Sequence, residues 1–104
     1  PAAGGTQTLP RVVGRSRALE MLLTNRRLTA AEAYQIGLVN RVVPKESLPV
    51  VVEEMAHRIA SFDPFAVRHA KEAVVRGMEL PLTEGLALER HLAAKLTLRK
   101  SAKP

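Results

Sequence analysis

Any chemistry in this chain would have to come from three histidines, ten carboxylates, four serines and one pair of adjacent glycines. His57, His69 and His91 lie 12 and 22 residues apart. That spacing matches no metal-ligand pattern, and there is no Cys to complete a zinc site. The three read as surface or boundary residues on helices. Glu53-Glu54 and Glu84/Glu89 are the carboxylate pairs to consider as general acid and base. Neighbouring residues diverge around a helix, and a catalytic carboxylate needs burial to tune its pKa. These carboxylates, and the Lys71-Glu72 pair, read as solvated. No serine sits in a Gly-x-Ser-x-Gly elbow. Ser16 and Ser47 suit helix caps, Ser61 has no catalytic partner in sequence, and Ser101 falls in the tail. Gly4-Gly5 precedes a helix, where free N–H groups and the positive end of the dipole can hold a water, a carboxylate or a phosphate. A tight turn with close packing explains the same two glycines equally well.

The elements that would position these groups are helices. A short amphipathic turn runs from Thr6 through Leu9, Val12 and Val13 to Gly14. Pro10 is tolerable only in a first turn, so this helix is expected to start late or be irregular. Ser16 is the expected N-cap of a helix over 17–24. Thr29-Ala-Ala-Glu32 has the form of a capping box, opening a helix that Gly37 ends. Leu38 to Val43, closed by Pro44, is rich in β-branched residues and reads as a strand or extended segment. Leu48, Val51, Val52, Met55 and Ile59 fall on one helical stripe, with Ser47 as cap and Pro49 in the first turn. Asp63-Pro64 opens the next helix, whose small-residue face is Ala66, Ala70, Ala73 and Gly77. That face permits close approach, within the chain or against a second subunit. Pro81 and Thr83 open the last helix, which carries Leu82, Leu86, Leu88, Leu92 and Leu96 and is expected to end near Leu96. The reading is a mainly α chain with one short extended piece near 38–43 and no internal repeats.

Composition narrows the partners. Of 104 residues, 46% are hydrophobic and 3% aromatic, so the apolar content is Ala, Leu, Val and Ile, and disorder is not expected. The absence of Cys excludes disulfides and Cys nucleophiles. The net charge of +6 suggests nucleic acid at first sight. Position removes that impression. Residues 1–89 hold 11 basic and 10 acidic residues, whereas residues 90–104 hold five basic and none acidic. The charge belongs to the tail, and the body offers no aromatic platform for bases. The longest apolar run, Leu48 to Val52, is far too short for a membrane span. The start, Pro-Ala-Ala-Gly-Gly, reads as the middle of a turn, so the chain is expected to be a piece of something longer.

The ordered set of motifs resembles the crotonase superfamily, the enoyl-CoA hydratase/isomerase family. Pro1 to Arg11 is similar to its turn-and-helix segment, and Val13–Ala18 with Glu20–Thr24 to its next helix. Leu28–Ala33 followed by Ile36–Pro44 is similar to the family's most recognisable downstream stretch. Ala70–Val74 and Leu82–Glu89 complete the set, which covers residues 1 to about 96. The resemblance implies the helical C-terminal segment of a β/α spiral fold. It divides the chain into 1–37, a turn and helices continuing from an N-terminal core; 38–98, a helical segment for oligomerisation and pocket closure; and 99–104, a basic tail.

Function follows from the same resemblance. The parent would act on acyl-CoA thioesters, with hydration of 2-enoyl-CoA the expected reaction, no cofactor, and coenzyme A present as part of the substrate. The oxyanion hole and the acid/base glutamates of the family lie upstream of Pro1, so no catalytic residue is expected in this chain, and the isolated 104 residues are expected to be inactive. One substrate- or water-binding element carries over. It is the backbone amide of Ala2, at a position where the family commonly has Gly in a Pro-Gly-x-Gly-Gly turn. A homotrimer or hexamer is expected, in the cytoplasm or, in a eukaryote, the mitochondrial matrix. Past Leu96 the sequence departs from the family's closing helix, by truncation or by divergence. Family members also isomerise, dehalogenate, cyclise or hydrolyse thioesters on one scaffold. The alternative reading is a free-standing helical interaction module whose basic tail binds an acidic partner or nucleic acid.

Overall fold

The structure is a computed structural model that describes residues 3–102, with side chains to Ser101. The chain divides into two compact units, Pro1–Leu48 and Pro49–Pro104.

In the first unit, α1 (Gly5–Val13) packs on α2 (Arg15–Thr24), and α3 (Ala30–Gln35) follows. α1 begins early rather than late, and Pro10 sits inside it. The ring removes a single backbone donor, and the carbonyl of Pro10 still accepts from Gly14 N–H at 2.9 Å. Gly14 both closes α1 and caps α2. Its φ of 92° and ψ of 158° turn the chain between them. No atom lies within 4 Å of where its Cβ would be, so backbone conformation and not crowding requires glycine. Ser16 is therefore one residue inside α2 and is not its cap. The local reason is that the sharp break at Gly14 starts the helix before the serine is reached.

α3 has the capping box expected of Thr29 and Glu32. Glu32 N–H donates to Thr29 Oγ1 at 3.1 Å, and Thr29 N–H donates to Glu32 Oε1 at 3.3 Å. At its other end Gly37 N–H donates to Tyr34 O at 3.2 Å and Leu38 N–H to Ala33 O at 2.9 Å. That pair of bonds is a Schellman motif, made possible by the φ of 78° at Gly37. Residues 38–43 form no strand: bends at 38–40 lead into irregular backbone. Val39 and Val42 are exposed, and no strand exists among the described residues to pair with them. β-branched side chains favour a ladder only when one is offered.

A 3₁₀ turn over Lys45–Ser47 leads into α4 (Leu48–Ala60). Ser47 thus ends a 3₁₀ turn, its N–H donating to Pro44 O at 2.9 Å. The rest of the second unit is a hairpin of α5 (Pro64–Gly77) and α6 (Leu82–Ala102). Asp63 caps α5 by accepting from Phe65 N–H at 3.0 Å, with Pro64 at the first helical position. Gly77 lies against Gly85 and Phe65 against Arg99, so the two helices run antiparallel. The small face of α5 is used inside the chain, at least at its Gly77 end. α6 does not stop near Leu96 but continues to Ala102. No Gly or Pro interrupts residues 97–102, and Arg99 and Lys100 suit the negative end of the helix dipole.

The core is small. Val13, Ala18 and Ala33 are its buried apolar residues in the first unit, and Leu92 in the second. The α4 stripe read from the sequence is formed, yet Leu48, Val52, Met55 and Ile59 are all exposed along it.

Candidate functional site

Two features of the first unit converge near Thr6. Gly4, at φ 94°, starts α1 with no side-chain cap, and its carbonyl accepts from Gln7 N–H at 3.0 Å and Thr8 N–H at 2.9 Å. The amides of Gly5 and Thr6 precede those donors and have no intrahelical acceptor. An oxygen of a ligand or water is the natural partner for such groups at the positive end of a helix. The Thr6 side chain in turn lines a groove of about 680 Å³ between α1 and α2, together with Pro10, Ala18, Leu19 and Leu22. The arrangement can hold an apolar group with a polar oxygen near one end. Arg11 and Arg15 also line the groove. Arg11 is engaged by the Gln7 carbonyl at 2.8 Å. Ala2 lies outside the described residues.

A second groove, about 450 Å³, lies on the α5–α6 hairpin and is lined by Val74, Met78, Leu82 and Leu86. Met78 is 82% exposed and Leu82 77%. The whole chain exposes 8798 Å². A compact folded chain of this mass exposes about 5,700 Å², and even two separate compact bodies of half the mass about 6,900 Å². Large apolar side chains are among the exposed residues of both units.

The titratable candidates do not assemble into a catalytic group. Glu53, Glu54, Glu84 and Glu89 are exposed, as are His57 and His91. Glu72 pairs with Arg76 at 3.3 Å, one helical turn on, and not with adjacent Lys71. Among the described residues no three His, Cys, Asp or Glu side chains stand close enough to hold a metal ion.

Three arrangements escaped the sequence reading. Arg26 binds Glu20 at 3.2 Å and also Glu32, tying α2 to the start of α3. The Thr29 hydrogen bonds, backbone first, and then the Arg26 charge hold the Glu32 carboxyl below the usual glutamate range. Two guanidinium groups stand over the Phe65 ring, that of Arg68 at 5.4 Å and that of Arg99 at 3.1 Å from its centroid. His69 has a buried Nδ1 with no hydrogen-bond partner. Spacing gave a signal only for Phe65 and Arg68, which are three apart on a helix; the others depend on turns and on the hairpin's pairing.

Comparison with known proteins adds independent findings. The family model described as enoyl-CoA hydratase/isomerase matches residues 1–103. A Dictyostelium discoideum protein described as a probable mitochondrial enoyl-CoA hydratase is 48% identical over 92 residues, covering 88% of this chain and 33% of that protein. The crystal structure of an enoyl-CoA hydratase from Bacillus anthracis matches with a TM-score of 0.88 at 47% identity, over 90% of this chain and 36% of the other. A Geobacillus kaustophilus structure titled as enoyl-CoA hydratase subunit I matches with a TM-score of 0.90 at 45% identity, over 94% of this chain and 38% of the other. The chain spans about a third of the length of the curated relatives it matches.

Proposed function

Because the chain belongs to the enoyl-CoA hydratase/isomerase family, we propose that it serves as the helical C-terminal part of an enzyme that hydrates 2-enoyl-CoA thioesters. In this reading residues 1–37 continue from the catalytic core, and residues 38–98 assemble subunits into a trimer and close the acyl pocket. The basic end of α6 follows. The chain binds and orders but supplies no acid or base. The thioester oxygen would be held by donors outside this chain, since stabilising developing negative charge needs preorganised N–H groups at the reacting carbonyl. The amide of Ala2 would hold the reacting water.

The observation that carries the proposal is that large apolar side chains stand exposed in both units of a family member, Leu23, Met78 and Leu82 among them. A free-standing helical segment would keep Met78, Leu82 and Val74 covered. Their exposure fits a face that meets another subunit. The alternative, a module that grips an acidic partner with its basic tail, is less well supported, because Arg99 is already stacked on Phe65.

Sedimentation of the chain tests the assembly role. The expected result is self-association to a trimer at micromolar concentration, and a monomer for the double variant Met78→Asp, Leu82→Asp. A chain that stays monomeric at every concentration, or a variant that assembles unchanged, would overturn it.

A further inference from the structure

We draw no further inference here: the strongest candidate, the apolar groove between α1 and α2 floored by Ala18, Leu19 and Leu22, carries nothing because nothing in the structure shows what covers it.

Discussion

At the scale of single residues, Glu32 is the group whose surroundings matter most. Its carboxylate accepts from the Thr29 backbone and hydroxyl and pairs with Arg26, so its pKa is lowered. A lowered carboxylate pKa means the folded state prefers the ionised form. That contribution is present in full above the unfolded glutamate pKa and is lost as pH falls through the folded value. An NMR titration should therefore find the Glu32 midpoint below the ordinary glutamate value, with α3 loosening on acidification. In Glu32→Gln, which keeps the cap's acceptor, that acid sensitivity should disappear. A Glu32 midpoint at or above the ordinary glutamate value would contradict the arrangement. Thr29→Ala removes the reciprocal bond and should cost about 1 kcal/mol, read as roughly fivefold faster amide exchange in α3. The box was legible because both partners stand in a four-residue window. The Arg26 link was not, because Asn25 takes a left-handed turn, φ 53°, that redirects the chain before Arg26.

At the scale of elements, the α5–α6 hairpin is set by how closely its two glycines approach. A Cβ on Gly85 would stand 3.3 Å from the Gly77 carbonyl oxygen, whereas a Cβ on Gly77 would meet only the Gly85 Cα at 4.0 Å. The two positions should respond differently. Gly77→Ala should be neutral or stabilising by up to about 1 kcal/mol, since it gains helix propensity in open space. Gly85→Leu should cost about 1–3 kcal/mol by forcing the helices apart. Thermal unfolding of both variants checks this, and equal losses at the two sites would contradict the close crossing of backbones at this point. Sequence periodicity read the helices well where a stripe and a cap agreed, as in α5, and found the α4 stripe although Ser47 belongs to the preceding 3₁₀ turn. It failed at α1, because a proline counted as a breaker costs one donor while the rest of a nine-residue helix still forms. It failed at the end of α6, because the clamp that holds Arg99 on Phe65 joins residues 34 apart. At Leu38–Val43 it left a strand and an extended segment both open, and the strand does not form because the described residues offer no ladder to join.

At the scale of the whole molecule, composition and surface point the same way. Five of the six net positive charges lie in residues 90–104, so the body is nearly neutral. Its exposed apolar residues, rather than its charge, are what the proposed assembly role rests on. The family was legible because five stretches recur in order, each placed by a cap, a turn or a helix face. How much would remain uncovered was not legible, since periodicity shows that a helix has an apolar face without showing whether a neighbour in the same chain buries it. Leu48, Val52 and Ile59 make the point: a regular stripe, formed as read, and still exposed. We propose that this chain contributes structure to an acyl-CoA enzyme and no acid/base chemistry of its own. The most direct test is to incubate the purified 104-residue chain with crotonyl-CoA and follow loss of the enoyl absorbance. The expected result is the uncatalysed rate at every chain concentration; saturable turnover proportional to the chain would overturn the structural role.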